Sequence, residues 1–413
     1  MMTEVGIEAL NVYGGEAFLD VATLAKERNL DMVRFENLLM LQKTVALYYE
    51  DSVSFGINAA KPIIDELSEE ERSRIELVIV STESAVDFGK SLSTYVHHYL
   101  KLSRHCRLFE IKQACYAGTA AFQMAVGFVL SQTSPGAKAL VVSTDISRMF
   151  PEMRGLYHEP SGGAGAIAYL VSDQPKVFSL DIGATGYYGY EVMDTCRPTP
   201  DHEFGDADLS LLSYLDCCEN AFLMYQDRVE GVDYQDTFDY LAFHTPFGGM
   251  VKGTHRTMMR KFKKATPSEI EQDFQVRVQP SLSYCQRVGN VMSGTVFLAL
   301  AGLIDNGDFP TPKRVGVFSY GSGCCSEFYS GVVTSSAKQI QAHRQIGKTL
   351  SERYELSMEE YEAMFDYNKV VRFGIKDVVI QKGLLPGVDD HFLGRGRLVL
   401  SEIKNFHRKY EWM

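Results

Sequence analysis

The sequence predicts an α/β protein in which strands and helices alternate along the whole chain. Short apolar runs rich in β-branched residues recur between longer helix-like stretches. The succession of strand, reactive side chain and helix occurs twice, once at Cys115 and again at His244. This echo predicts a duplicated α/β core with halves at residues 1–173 and 174–413. We expect one compact unit, because no proline- or serine-rich linker separates the halves.

Each predicted element rests on a local pattern. Two helices begin at capping boxes, Thr-Pro-Ser-Glu at 266–269 and Ser-Met-Glu-Glu at 357–360, in which paired side chains satisfy free backbone N–H groups. The predicted strands are 75–81, 107–112, 138–144, 165–171, 176–183, 239–243, 314–320 and 324–333. The predicted helices are 57–67, 92–102, 116–131, 208–226, 268–285, 292–304 and 357–366.

Composition and charge limit the classes of function. The chain has 413 residues, 45% of them hydrophobic, so it can bury a large core. Its net charge of −12 argues against non-specific nucleic-acid binding. No apolar run approaches the ~18 residues of a membrane span, and the N-terminus lacks the pattern of a secretory signal. We therefore expect a cytoplasmic protein that binds neither nucleic acid nor membrane.

The eight cysteines predict reduced thiols and no metal site. Two adjacent pairs occur, Cys217–Cys218 and Cys324–Cys325, and adjacent cysteines rarely bridge each other. The CxxC spacing typical of metal sites is absent. Reduced cysteines agree with the predicted cytoplasmic location.

Cys115 is the candidate nucleophile. The strand-like run 108–112 ends shortly before it, and a turn with Ala117 and Gly118 opens an apolar helix-like stretch. This arrangement brings the thiol to the N-terminus of a buried helix, where free N–H groups and the helix dipole favour the thiolate. A thiolate there is suited to acyl transfer. The alternative for an isolated cysteine in an apolar stretch is a buried structural role.

Two further reactive side chains follow predicted strands. Glu83 comes just after the β-branched run 78–80, and His244 follows the apolar run 240–243 directly. If each residue is considered alone, the alternative for Glu83 is a surface residue near a helix start, and the alternative for His244 is a structural histidine. A nucleophile together with two groups for proton transfer, each at the end of a strand, instead predicts one catalytic set.

At these positions the chain resembles the 3-hydroxy-3-methylglutaryl synthases. The segments QACYAGTA, STESAVDFGKS and FHTPFGG carry Cys115, Glu83 and His244, which match the catalytic cysteine, glutamate and histidine of that family. The other matching turns are EPSGGAGA at 159–166, VGN at 288–290 and SYGSG at 319–323. The resemblance covers nearly the whole chain. It implies the thiolase fold, with a duplicated, five-layered αβαβα core.

Within the family, the chain is similar to the branch that works in polyketide synthase clusters. The similar stretches include YYGYEVMDTCRP, SLLSYLDCCENAF and YGSGCCSEFYSG. The likeness implies β-branching, in which Cys115 takes an acetyl group from a carrier protein and Glu83 removes a methyl proton. The enolate attacks a β-ketoacyl thioester while His244 acts on the ketone oxygen, and water then releases the product. No metal or redox cofactor is implied, because phosphopantetheine arrives as part of the substrate.

The resemblance also suggests binding residues. The SYGSG turn, with Tyr320, Gly321 and Ser322, is expected to form an oxyanion hole with the backbone N–H of Cys115. The other three candidates are Asn290, Ser161 and Asp206. Asn290 is either a donor to an acyl oxygen or a turn former. Asp206 either orients His244 or the substrate, or starts the helix at Leu209.

The implied partners are a donor and an acceptor acyl carrier protein, and the family implies a homodimer. Carrier proteins are usually acidic, as is this chain, so docking requires a local basic surface. Lys26, Arg28 and Arg34 lie on the helix-like segment 26–36 and are the candidates. Their alternative role is a solvated helix face.

Three other functions stay open on the sequence. The nearest is a mevalonate-pathway synthase that uses acetyl-CoA and acetoacetyl-CoA. A β-ketoacyl synthase shares the fold and the cysteine, but does not need a glutamate at the position of Glu83. A carrier-binding scaffold without chemistry is disfavoured because all three catalytic candidates are present.

Overall fold

The computed structural model describes residues 4–156 and 158–413, and of Arg34 it describes the backbone alone. The strands are β1 Gly6–Tyr13, β2 Ala17–Asp20, β3 Gln42–Thr44, β4 Ile75–Ser81, β5 Arg107–Ile111, β6 Lys138–Ile146, β7 Ala164–Ser172, β8 Phe178–Gly189, β9 Thr195–Thr199, β10 His202–Gly205, β11 Tyr240–Phe243, β12 Lys313–Gly321, β13 Cys325–Val333, β14 Tyr354–Glu355, β15 Val378–Val379, β16 Leu398–Lys404 and β17 His407–Trp412. The helices are α1 Val21–Glu27, α2 Met32–Glu36, α3 Ser52–Glu66, α4 Glu69–Ser73, α5 Ser93–Tyr99, α6 Ala117–Leu130, α7 Ala207–Arg228, α8 Gly248–Lys263, α9 Pro267–Asp273, α10 Gln279–Val288, α11 Thr295–Asn306, α12 Ala337–Ala342, α13 Ile346–Ser351, α14 Met358–Tyr367 and α15 Pro386–Phe392.

Nine strands form one mixed sheet in the order β11-β12-β13-β8-β1-β7-β6-β4-β5. The pairs β4–β5, β4–β6 and β11–β12 are parallel, and the other neighbours are antiparallel. The order β1-β7-β6-β4 in the first half recurs as β8-β13-β12-β11 in the second, with the same pairing directions. β1 and β8 join the two parts of the sheet through the pairs Gly6–Ser179 and Ile7–Phe178. The predicted α/β class is confirmed.

The helices cover the sheet and bury three apolar clusters. α3 packs on β1, β6 and β7, whereas α7 packs on β8 and β13. α6 and α11 contact each other in a further cluster, where the rings of Phe122 and Phe297 lie 5.8 Å apart. α11 is apolar and buried over most of its length, whereas α6 buries one face and exposes Met124 and Gly127 on the other.

The predicted elements differ from the observed ones, and several observed elements, such as α8 and β14 to β17, have no predicted counterpart. The prediction omitted β1, whose polar residues Glu8 and Asn11 interrupt the apolar run although both are buried. The helix predicted at 57–67 begins earlier, at Ser52, because Asp51 forms a capping box with Ser54. The helix predicted at 268–285 is interrupted by a π-helical turn at Phe274–Val278, directly before the proline-containing start of α10.

The helices and the cysteines of the structure show whether the chain has membrane-spanning helices or disulfide bonds. Among residues 4–156 and 158–413, no helix is both long enough and apolar enough to cross a bilayer. All eight cysteines are free thiols.

Truncating a buried side chain of α11 tests how far the fold depends on this packing. Leu298 is 0% exposed, so Leu298→Ala is expected to lower the free energy of unfolding by about 2–5 kcal/mol. Leu212 is 64% exposed on α7, and Leu212→Ala is expected to change it by less than about 0.5 kcal/mol. Chemical denaturation of both variants measures the difference, and equal losses would contradict this account of the core.

Candidate active site

A cavity of about 1120 Å³ lies where both halves of the chain meet, and it holds the three catalytic candidates. Glu83 and Cys115 reach it from the first half and His244 from the second. Four of the six predicted binding residues also line it, namely Ser161, Asn290, Tyr320 and Ser322. These predicted residues are spread over more than 200 positions of the sequence, and they line the same cavity.

Cys115 lies in the turn between β5 and α6, directly before the first residues of the helix. The turn is closed by backbone hydrogen bonds from Tyr116 N to Gln113 O and from Ala117 N to Ala114 O, both at 3.1 Å. Burial raises the pKa of the Cys115 thiol well above its usual value, and the charge of Glu83 raises it further. The expectation of a resting thiolate is therefore wrong, because burial and neighbouring carboxylates outweigh the helix dipole.

Glu83 follows β4 and faces the sulfur. Its Oε1 lies 3.9 Å from Cys115 Sγ, within reach of a thiol hydrogen bond. Burial raises the pKa of Glu83 to about 8, while the charge of Arg197 opposes that rise and the charge of Asp145 adds to it. A carboxyl group with a pKa near neutrality suits proton transfer at the pH of a cell.

Asp145, in β6, holds the turn that carries Glu83. Its Oδ1 accepts hydrogen bonds from the backbone N–H groups of Glu83, at 2.8 Å, and of Ser84, at 3.0 Å. Its Oδ2 accepts from the backbone N–H of Ser293, at 3.0 Å, just before α11. One buried carboxylate thus ties the Glu83 turn to an element of the second half of the chain.

His244 follows β11 and is held by its main chain. Its N–H donates to Phe318 O at 2.7 Å, and its carbonyl accepts from the Tyr214 hydroxyl at 2.6 Å. Burial lowers the pKa of His244 to about 3, so the imidazole is neutral. Its Nδ1 is buried and has no hydrogen-bond partner in the part of the chain that the structure describes. A neutral imidazole is able to accept a proton or to donate one to a substrate oxygen.

The SYGSG turn packs directly against the turn that carries Cys115. A Cβ on Gly321 would lie 2.5 Å from Tyr116 N and 2.6 Å from Gln113 O, so this close approach requires glycine. The Tyr320 hydroxyl donates to Asp194 Oδ2 at 2.5 Å, and Gly323 N donates to Asp194 Oδ1 at 2.9 Å. Gly321 therefore acts through packing, and Tyr320 is committed to a buried carboxylate.

Asn290 and Ser161 lie side by side in the cavity wall. Asn290 N donates to Ser161 O at 2.8 Å. Asn290 Oδ1 accepts from Met292 N at 3.0 Å and from the Thr295 hydroxyl at 2.9 Å. The asparagine is a turn former, as one alternative predicted, and its fixed carboxamide oxygen leaves the Nδ2 donors for other contacts.

Two predictions do not fit the observed geometry. Asp206 accepts hydrogen bonds from Asp208 N and Leu209 N as the N-cap of α7 and is not among the residues that line the cavity, so its helix-starting role is the one observed. Arg28 does not fit a docking role, because its guanidinium donates to Glu159 at 2.9 and 3.0 Å and also pairs with Glu362.

The other two docking candidates differ from Arg28. Lys26 is exposed near the end of α1. Arg34 belongs to α2, and its side chain lies outside the described part of the structure. Leu38, two residues after α2, lines the cavity, and its carbonyl accepts from Gly249 N at 3.0 Å. The segment with Lys26 and Arg34 is therefore continuous with the cavity wall.

The sequence analysis missed four charged residues around the site. Asp145 and Asp194 hold the catalytic turns, and Arg197 and Glu203 line the cavity from the hairpin β9–β10. Asp145 directly follows the predicted strand 138–144, and the only local signal for its role was a carboxylate at the end of an apolar run. Nothing in the sequence around Arg197 predicts that it faces Glu83.

A half-buried thiol, a carboxyl group and a neutral imidazole in one cavity characterise an acyl-transfer enzyme. The family model for the N-terminal part of hydroxymethylglutaryl-coenzyme A synthase matches residues 1–176, and that for the C-terminal part matches residues 254–412. The chain belongs to this family, as the resemblance in its sequence indicates.

Comparison with individual proteins shows how similar in sequence this chain is to particular members of the family. The chain is 62% identical over 419 residues to "Polyketide biosynthesis 3-hydroxy-3-methylglutaryl-ACP synthase PksG" of Bacillus subtilis, covering 100% of both chains. It is 33% identical to the hydroxymethylglutaryl-CoA synthase of Enterococcus faecalis, over 87% of this chain and 91% of the other. Among solved structures, the HMG synthase of the curacin biosynthetic pathway in complex with acetyl donor-ACP superposes with a TM-score of 0.98 at 62% identity, covering 99% of this chain and 100% of the other.

Replacing Gly321 tests the contact between the two turns. Gly321→Ala is expected to destabilise the protein by about 1–3 kcal/mol and to slow its synthase reaction, because the added methyl group meets the backbone before α6. Gly253→Ala is the matched control, since no atom lies within 4 Å of a Cβ at that position in α8. That control is expected to keep its activity and to gain slightly in thermal stability. Similar losses in both variants would contradict the proposed contact.

Proposed function

We propose that this protein is a carrier-protein-dependent 3-hydroxy-3-methylglutaryl synthase of polyketide β-branching. It condenses an acetyl group, delivered by a donor carrier protein, with a β-ketoacyl thioester on an acceptor carrier protein. The observation that carries the proposal is the shared cavity of Glu83, Cys115 and His244, in a chain similar over its whole length to PksG.

The first step is acetyl transfer to Cys115. The thiol is protonated at rest, so its proton must leave as sulfur attacks the thioester carbonyl. His244 fits the role of acceptor because burial keeps its imidazole neutral. The carrier thiol leaves with a proton, and an acetyl thioester remains on Cys115. Backbone N–H groups of the Cys115 turn and of the turn at Ser322 would stabilise the oxyanion.

The second step forms the carbon–carbon bond. Glu83, next to the sulfur, takes a proton from the acetyl methyl group, and the resulting enolate attacks the ketone carbon of the acceptor. The ketone oxygen becomes a hydroxyl by taking a proton, for which His244 is the proposed donor, and the methyl proton on Glu83 replaces the one that His244 gives. Water then attacks the thioester on Cys115 and releases a carboxylate, so the free thiol is restored. Every reacting group in these two steps is supplied by the protein, by the two thioester substrates or by water.

The alternatives are weaker on specific observations. A mevalonate-type synthase would use acetyl-CoA and acetoacetyl-CoA, but identity to the Enterococcus faecalis enzyme is 33%, against 62% to PksG. A β-ketoacyl synthase does not need the carboxyl group that lies 3.9 Å from Cys115 Sγ. A scaffold without chemistry leaves the buried thiol, carboxyl and imidazole unexplained.

We also propose that the core is a duplicated, five-layered αβαβα arrangement of the thiolase type, with halves at residues 1–173 and 174–413. The recurring strand order supports the duplication, and the contact of α6 with α11 supports a middle helical layer. The free cysteines support the predicted cytoplasmic location. The homodimer stays a prediction from the resemblance.

Carrier docking is proposed at the segment from α1 to α2. It carries Lys26 and Arg34 and leads directly to Leu38 in the cavity wall. Cations there would attract an acidic carrier protein and orient its phosphopantetheine arm toward Cys115. Electrostatic contacts of this kind act mainly on the rate of encounter.

Separating the two chemical steps tests the catalytic assignment. Glu83→Gln is expected to accept one acetyl group on Cys115 from acetylated carrier protein but to condense it about 10²–10⁴ times more slowly, because the amide cannot take the methyl proton. Intact-protein mass spectrometry follows the acetyl group, and product analysis follows condensation. Cys115→Ser is the control and is expected not to be acetylated at the wild-type rate. A folded Glu83→Gln that cannot be acetylated would assign Glu83 to the first step instead.

Charge reversal tests the docking segment. Lys26→Glu and Arg34→Glu are expected to weaken the use of acetyl-carrier protein more than that of an acetyl-pantetheine mimic, and the defect is expected to shrink at high salt. Lys404→Glu, at the exposed end of β16, is the matched control and is expected to change neither donor. Equal losses with both donors would argue for a folding defect. Efficient turnover of free acetyl-CoA would favour the mevalonate-type alternative.

A further inference from the structure

Arg197 is a buried cation whose role neither the sequence nor the proposed steps explain. It lies in β9, its side chain is 9% exposed, and it lines the cavity that holds Glu83. Burial of a charged group is costly unless neighbouring groups compensate for it. The contacts of Arg197 therefore indicate what its charge is used for.

Each nitrogen of the Arg197 guanidinium faces a different group. Nη2 donates to Glu203 Oε2 at 2.9 Å, and Nη1 donates to Pro200 O at 3.3 Å and to the Ser84 hydroxyl at 3.4 Å. Nε lies 3.9 Å from Glu83 Oε2, and this buried N–H has no hydrogen-bond partner among the described residues. Glu83 thus lies between two groups, with Cys115 Sγ 3.9 Å from one carboxylate oxygen and Arg197 Nε 3.9 Å from the other.

Charged and titratable groups reach Glu83 from several elements. The hairpin β9–β10 contributes Arg197 and Glu203, β6 contributes Asp145, and the turn before α6 contributes Cys115. Of these four, Arg197 supplies the positive charge. Asp145 and Glu203 favour a neutral Glu83, whereas the hydrogen bond from Cys115 favours the carboxylate. Glu203 also competes directly with Glu83 for the same guanidinium.

We propose that Arg197 is a positioning residue for the carbon–carbon step: its guanidinium increases the ionised fraction of Glu83 beside the acetyl group, and Glu203 limits this effect. The proposal rests on the proposed function, because it assumes that Glu83 is the base that takes the methyl proton. A base must be ionised before it accepts a proton, so a cation at this distance extends the pH range of condensation downward.

The sign of each contribution follows from charge. Burial disfavours the carboxylate and raises the pKa of Glu83 to about 8 even with Arg197 present. Removing the cation raises that pKa further, whereas neutralising Glu203 removes a negative charge and frees the guanidinium for Glu83, so that the pKa falls. An opposite charge within a few ångströms typically lowers a carboxyl pKa by about 1–3 pH units.

The test uses two variants with opposite expected effects. Enzyme that carries an acetyl group on Cys115 is mixed with a β-ketoacyl-pantetheine acceptor, and the rate of condensation in a single turnover is followed over a pH series. Arg197→Met is expected to move the acidic midpoint of this profile upward by about 1–3 pH units, and Glu203→Gln to move it downward by up to about 1 pH unit. Arg197→Lys, which keeps the charge, is expected to restore much of the wild-type midpoint. Arg314→Met removes an exposed cation paired with Asp181 and is expected to leave the profile unchanged.

A second measurement does not depend on turnover. The infrared carbonyl band of protonated Glu83, assigned by its absence in Glu83→Gln, is titrated in the folded protein and in the same variants. If wild-type enzyme condenses no substrate but the band shifts as expected, the proposed function fails, and only the effect of Arg197 on the charge of Glu83 stands. If wild-type enzyme condenses its substrates but Arg197→Met and Glu203→Gln leave both midpoints unchanged, or move them in the same direction, the role of Arg197 is overturned. If Arg197→Met does not fold, the role of Arg197 is tested by the midpoints of Glu203→Gln and Arg197→Lys instead. Unchanged midpoints in Glu203→Gln would then overturn it.

Discussion

The geometry of the site depends on the buried carboxylate of Asp145. A charged group without access to water must be met by donors, and the donors here are backbone and hydroxyl groups from two distant segments. One segment carries Glu83 and the other leads into α11 through Ser293. Since the carbonyl of Ser293 also lies against Gly118 in α6, the same contact sets the distance between the carboxyl group of Glu83 and the sulfur of Cys115. The two halves of the chain therefore meet with defined geometry at the place where the reacting groups lie.

Burial also determines the charge of each reacting group. It raises the pKa of Cys115 and of Glu83 and lowers that of His244, so each group is shifted toward its neutral form. A site of neutral groups gains charge only as the reaction proceeds, and fixed N–H groups near the Cys115 turn and Ser322 then meet that charge without having to reorient. Arg197 acts against this trend, because its positive charge favours the carboxylate form of Glu83, which burial disfavours.

Much of the fold and the core of the candidate site were predictable from local sequence. The strand predicted at 75–81 is β4 as observed, and Glu83, Cys115 and His244 were identified because each follows such a strand. The predictions failed where the deciding partner is far away in sequence. β1 was missed since burial of its polar residues depends on distant groups: Glu8, for example, pairs with Lys138 and Lys176. The docking role of Arg28 did not fit because Glu159 and Glu362 bind its guanidinium.

The sequence by itself determined the class of fold, the family and the three catalytic candidates, because apolar periodicity, helix caps and motif order are local properties of the chain. Only the tertiary structure decided the protonation of Cys115, the burial of Asp194 beneath Tyr320, and the approach of Arg197 to Glu83. Arg197 and its neighbour Ser84 are 113 positions apart, and no local pattern encodes such a contact. Charge states in a buried site depend on which distant groups surround it, and those neighbours exist only after the halves of the chain have packed together.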